Sequence, residues 1–107
     1  MAEEIVVFVT TGSESEAKTI SRRLVQDGLV ACANIVPTIQ SIFQWEGIIS
    51  EEQESLLILK TKADVFHVLE AAIKAHHSYS VPEIIAIPIQ MGSSDYLSWV
   101  RQMVKAT

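Results

Sequence analysis

The stretch LVACANIVPTIQSIFQW (Leu29–Trp45), EG (Glu46–Gly47) and IISEEQESLLILKTK (Ile48–Lys62) decides the fold. Its first arm is strand-like throughout, with Val30, Ile35, Val36, Ile39, Ile42 and Phe43 as β-formers. Only Pro37 interrupts it, and a residue that cannot donate to a ladder belongs at a bulge or on a sheet edge. Glu46-Gly47 sits where a two-residue hairpin turn is needed, although glycine at the second position alone does not fix the turn type. The second arm returns from Ile48 to about Lys62, with Leu56, Leu57, Ile58 and Leu59 as its apolar segment. One long central hairpin is therefore expected.

Outward from the hairpin, the elements alternate. Ile5-Val6-Val7-Phe8-Val9 is β-branched or aromatic throughout, the pattern of a central strand buried on both faces. After Gly12, Ser13 and Glu16 match a capping box, and Ala17, Ile20, Leu24 and Val25 recur at helical spacing until Gly28, predicting a first helix over about 14–27. On the other side, Asp64 is read as an N-cap, and Val65, Leu69, Ala72 and Ile73 form the stripe of a second helix ending near His76. Ser80-Val81-Pro82 breaks the chain, and Ile84–Ile89 reads as another short buried strand, closed by Pro88 and Gly92. Ser93 or Ser94 then caps a last helix whose Tyr96, Leu97, Val100 and Val104 share a face. The order β-α-β-β-α-β plus one helix is an α+β, ferredoxin-like sandwich with an additional C-terminal helix.

Composition bounds the function. The 107 residues, 49% hydrophobic and 20% charged, suit one domain, and the apolar fraction is too high for a disordered chain. With a net charge of −5 and eight Lys and Arg scattered apart from Arg22-Arg23, nucleic acid and anionic membranes are not expected partners. Cys32 is the one cysteine, so neither an internal disulfide nor a CxxC metal knuckle can form, which fits a reducing compartment. The start, Met-Ala-Glu-Glu, shows no basic leader, and no apolar run reaches the ~20 residues that span a bilayer. A cytoplasmic protein is expected.

Size adds a constraint. A compact chain of this length has a radius of gyration of about 13 Å and so a diameter near ~34 Å. Two strands of about 16 residues would each extend roughly 50 Å. The hairpin must overhang the body or bend sharply, and its tip carries Ile42, Phe43, Trp45, Ile48 and Ile49. A lone two-stranded ribbon with exposed apolar residues is marginal in water and invites pairing, so a closed homo-oligomer built by sheet extension is expected.

Several blocks resemble the CutA family, the divalent-cation tolerance proteins. Ala31-Cys32-Ala33-Asn34-Ile35-Val36-Pro37 is similar to that family's ACVNIVP-type stretch. Ser41–Gly47, Glu54–Thr61, His77–Ile85 and Tyr96–Val100 follow in the family's order and spacing, so the resemblance covers residues 5 to 104. It implies a ferredoxin-like subunit in a PII-like homotrimer with long hairpins exchanged between neighbours, a link to copper or other divalent ions, and no established reaction. The chain departs from the common pattern at Phe43, where Tyr is frequent, at Ser78, where Pro is frequent, and at Ser80, where Glu is frequent.

Candidate sites follow. Cys32 among Val30, Ala31, Ala33 and Ile35 reads first as a small buried hydrophobe, and otherwise as a soft ligand for copper that would need His or Met beside it. Of His67, His76 and His77, the last two end the second helix, where a cation complements the dipole; His77 heads a family block and is the preferred imidazole ligand. Trp45 and Trp99 read as interface anchors. Glu54, Lys60, Tyr79 and Glu83 come from separate elements and are expected to converge, as an interface ion pair or as part of an inter-subunit cleft for an anion or small ligand. No glycine-rich phosphate loop supports a nucleotide there. The expected function is a homotrimer binding copper weakly, without catalysis. The alternative is a PII-like signalling or scaffold module whose inter-subunit clefts take a small ligand or a partner protein.

Overall fold

The computed structural model describes residues 3–105; Met1 and Ala2, on which the reading of the chain's start partly rests, lie outside the described residues. The β-branched run near the start forms β1 (Glu4–Thr11), and the long hairpin forms β2 (Cys32–Trp45) and β3 (Ile48–Lys62). With β4 (Ile84–Pro88) these make one antiparallel sheet in the order β2-β3-β1-β4, the ferredoxin-like arrangement. Helices α1 (Glu14–Gln26), α2 (Phe66–His76) and α3 (Ser94–Met103) complete the fold.

The first helix is set by its ends. Ser13 Oγ accepts from Glu16 N–H at 3.1 Å. At the other end Leu29 N–H reaches Leu24 O and Gly28 N–H reaches Val25 O, with Gly28 at φ +71°, the paired bonds of a Schellman stop. That stop corrects the strand boundary. Leu29, Val30 and Ala31 are buried in the turn after the helix, and β2 begins only at Cys32. Asp64 is also not a cap: Ala63–Val65 is a tight 3₁₀ turn ahead of α2, and it points Val65 into the interior.

One face of the sheet carries the core. Val7 and Val9 of β1 and Leu57 and Leu59 of β3 meet Ile20 and Leu24 of α1 and Leu69 and Ile73 of α2. At one end a smaller cluster joins Ala31 and Val65 to Val100 and Val104 of the α3 segment. The opposite face has no α1 or α2 against it. Phe8, Ile58 and Ile85 are aligned across it by the register, and Ile85 and Ile87 are each 51% exposed. β4 is thus an open edge strand rather than the buried strand expected from its apolar run. β1 is likewise sealed on the helix side only, because Val6 and Phe8 point to the open face and are half-buried.

The hairpin overhangs. β1 pairs with β3 only from Ser55 to Lys62, so the ladder between Ile39–Trp45 and Ile48–Glu54 extends past the rest of the sheet. The subunit measures 44 × 26 × 22 Å with a radius of gyration of 14.2 Å, longer than a compact chain of this size. Pro37 lies both on the edge strand and inside the register shift between Val36 and Ile39, and its carbonyl accepts from Ser55 Oγ at 2.6 Å. At the tip Glu46 (φ 51°) and Gly47 (φ 81°) are both left-handed, which identifies a type I′ turn whose twist matches the strands. Ile42, Trp45, Ile48 and Ile49 are 68, 54, 67 and 73% exposed there.

Candidate functional site

Where the overhang leaves the body, a groove of about 650 Å³ opens between the hairpin and the segment after α2. Phe43 and Trp45 of β2, Glu52 and Glu54 of β3, and Tyr79 and Glu83 of the connecting segment line it. Four of the residues singled out from sequence, Trp45, Glu54, Tyr79 and Glu83, therefore do converge. Lys60 does not. It pairs with Cys32 across the β2–β3 ladder at the far end of the strand, and its Nζ donates to Asn34 Oδ1. Trp99 sits in α3 beside Tyr96, ring centroids 5.6 Å apart, and does not line the groove. Within one chain the groove's lining carries three carboxylates, Glu52, Glu54 and Glu83, and no cation.

Tyr79 is the lock between the connecting segment and the hairpin, since its hydroxyl donates to Glu54 Oε2 at 2.8 Å. Burial of the phenol, that bond and the negative charges of Glu54, Glu16 and Glu52 push its pKa up to about 12. A folded value above the unfolded one stabilises the fold at all pH values below the ordinary tyrosine range, and the contribution is lost as pH rises through about 12. Tyr79 is more than one-third exposed, so solvent screens the effect on stability. The ionisation itself is measurable. Absorbance titration of the wild type should lack a Tyr79 phenolate step near pH 10, about the ordinary tyrosine value, and Glu54→Gln should move the step down toward that value without reaching it, because burial and the other carboxylates remain. An unchanged titration curve in the variant would show that the Glu54 bond does not form.

Below Tyr79, His77 is fully buried on its side chain. α2 ends at His76, and His77 is already extended (φ −92°, ψ 142°), so it does not serve as a helix-end cation. Its Nε2 lies 2.7 Å from Thr10 O, just beyond Val9↔Ile84, where the β1–β4 ladder stops. A carbonyl only accepts, so Nε2 carries the hydrogen. Nδ1 accepts from Tyr79 N–H at 3.0 Å. Both ring nitrogens are thus committed within the chain, leaving no free lone pair for a metal.

Glu16, legible in the sequence only as a capping-box residue, has a second job. Its carboxylate accepts from Ser78 N–H (2.7 Å), Ser78 Oγ (3.1 Å) and Gly12 N–H (3.3 Å). Burial acts to raise its pKa, but these bonds and the nearby His77 outweigh it and hold the carboxyl below the usual range. The Ser78 N–H donor would be missing if this position held the proline frequent in the resembling family. No local sequence signal shows that Glu16 reaches a residue 62 positions away.

Cys32 forms a separate cluster. It is half-exposed rather than enclosed, with Sγ 3.6 Å from Asn34 Oδ1. The Tyr96 phenol is raised by burial and by the neighbouring, hydrogen-bonded Cys32 thiol. The structure does not bring Cys32 and His77 together: Cys32 lies opposite Lys60, level with Val6, whereas His77 meets Thr10 four residues along β1. Among the described residues no three His, Cys, Asp or Glu side chains come together to hold a metal ion, and no helix is long and apolar enough to cross a membrane.

Comparison with known proteins agrees with this architecture. Residues 5–103 match the family model described as CutA1 divalent ion tolerance protein. The chain is 48% identical over 99 residues to the divalent-cation tolerance protein CutA of Thermus thermophilus, covering 92% of this chain and 96% of that one. It is 42% identical to the chloroplastic protein CutA of Arabidopsis thaliana, covering 94% of this chain but only 56% of that longer protein. Its fold superposes on the crystal structure of CutA1 from Oryza sativa with a TM-score of 0.95 at 38% identity, covering 99% of this chain and 97% of that one. By sequence and by fold, the chain belongs to the CutA1 divalent ion tolerance family.

Proposed function

We propose that the protein works as a cytoplasmic homotrimer that binds copper weakly and contributes to divalent-cation tolerance without catalysing a reaction. The observation that carries the copper reading is the half-exposed Cys32 thiol beside Asn34 Oδ1. A thiolate is a soft donor suited to copper, and an amide oxygen adds little to it. Among the described residues of one subunit none complete a closed chelate, so affinity is modest and His77, with both nitrogens bonded, takes no part. The trimer reading rests on the open sheet face and the apolar hairpin tip, both of which need a cover. A lone cysteine, which can form no internal disulfide, supports a reducing compartment such as the cytoplasm. The matching relatives are named as tolerance proteins, which supports a role other than catalysis.

Calorimetric titration of copper into the intact protein tests the site. Cys32→Ala is expected to abolish the binding heat, and His77→Gln to leave it unchanged. An isotherm in Cys32→Ala identical to the wild type removes Cys32 from the site.

A second reading, a PII-like module binding a ligand or partner protein, is favoured by the groove of about 650 Å³ with its Phe43, Trp45 and Tyr79 walls. Its carboxylates repel phosphate, so an occupant would carry positive charge.

A further inference from the structure

We propose that His77 is an acid-operated latch, which in its neutral form holds the segment 77–80 to the hairpin and on protonation hands that segment to α1. The device is written in the bonds of one buried ring. His77 Nε2–H donates to Thr10 O at 2.7 Å, an acceptor fixed by the β-sheet. Nδ1 is therefore the one atom that can take a proton, and it is occupied as an acceptor by Tyr79 N–H at 3.0 Å. A proton on Nδ1 turns that attraction into two hydrogens facing each other.

The alternative partner is already in place. Glu16 Oε2 of α1 lies 3.7 Å from Nδ1, too far for a hydrogen bond now and within a short shift of the ~2.7–2.9 Å of a charge-assisted one. Glu16 remains a carboxylate because Ser78 N–H, Ser78 Oγ–H and Gly12 N–H all donate to it. The charged groups around the ring are thus Glu16 from α1, and Glu54 and Glu52 from β3 acting through Tyr79; β1 contributes the Thr10 carbonyl. All of these formal charges are negative. The proton comes from water and goes to Nδ1, and no other bond is made or broken covalently.

Release travels outward through Tyr79. Its ring packs on His77 at a 49° tilt with centroids 4.8 Å apart, and its hydroxyl ties the segment to Glu54 on the overhanging hairpin. When its N–H loses Nδ1, the segment stays bound to α1 through Ser78 and Glu16 while its hold on the hairpin root weakens. Through this chain of contacts a proton on Nδ1 is felt at the groove.

Long-range proton–nitrogen spectra of the ¹⁵N-labelled full-length protein, recorded from about pH 8 down to 5, test this directly. At high pH His77 should show hydrogen on Nε2 alone. On acidification Nδ1 should gain a proton, and the Tyr79 amide resonance should shift with the same midpoint. His77→Gln should lose the Tyr79 amide shift, whereas Tyr79→Phe should keep it while freeing Glu54 from any response. The inference is overturned if His77 stays neutral throughout, if it protonates with the Tyr79 amide unmoved, or if the amide shifts equally in His77→Gln. The wild-type spectra decide the first two outcomes without any variant.

Discussion

The double substitution Ile85→Glu, Ile87→Glu is expected to turn a particle of about three times 11.8 kDa into one of 11.8 kDa in sedimentation at micromolar concentration. Both side chains stand on the sheet face that neither α1 nor α2 covers, in line with Phe8 and Val6 of β1. Exposed apolar faces of this kind on a small domain mark an interface. A carboxylate buried there without a partner costs several kcal/mol, and symmetry multiplies the cost because every copy brings its own pair. Because β4 is an edge strand with both side chains half-exposed in the isolated subunit, the changes should leave the fold intact, which circular dichroism would verify. If the unaltered protein itself sediments at 11.8 kDa, the assembly argument from the overhanging hairpin fails with it.

Leu59→Ala should produce the largest loss of stability among single changes, about 2–5 kcal/mol per subunit. Leu59 is fully buried where β3 lies between β1 and β2, paired with Val7 on one side and Ala33 on the other, and it belongs to the cluster that α1 and α2 close. Neighbours fixed in a four-stranded ladder cannot collapse into the vacated space, so the cavity persists. For a domain of this size each kcal/mol lowers the melting temperature by roughly 4–8 °C, so a fall of more than ~10 °C is expected by calorimetry. Wild type and variant are compared at one protein concentration, which keeps any contribution of self-association to the melting point equal. A fall of only a degree or two would mean that the sheet repacks around the loss. The hairpin-tip change Ile49→Ala serves as control, since Ile49 touches water in the subunit and its truncation removes little from this core.

Much of the fold was legible because its signals are local. The capping box at Ser13, the stop at Gly28, the helical spacing of Leu69 and Ile73 and the turn at Glu46-Gly47 each depend on residues a few positions apart. The errors fell where tertiary position overrides composition. Leu29–Ala31 looks like strand and is the buried end of a helix stop. Ile84–Pro88 looks like a buried strand and is an edge on which Ile84 packs against the core while Ile85 and Ile87 face outward. The candidate site was half legible: Trp45, Glu54, Tyr79 and Glu83 meet in one groove, whereas Lys60, Trp99, Cys32 and His77 do not join them as ligands.

The sequence by itself determined the order of elements, the ends of the first helix, and the length of the hairpin, and with that length it required an overhang. These follow from periodicity, capping chemistry and the rise per residue, all of which act along the chain. The tertiary structure alone decided that His77 is a buried ring with both nitrogens bonded under Tyr79, and that Glu16 reaches Ser78 as well as the Gly12 amide at the start of its own helix. Those outcomes depend on where the β1–β4 ladder stops and on which carbonyl it leaves unpaired. Register between strands distant in sequence is set by packing of the whole core, and no local pattern encodes it.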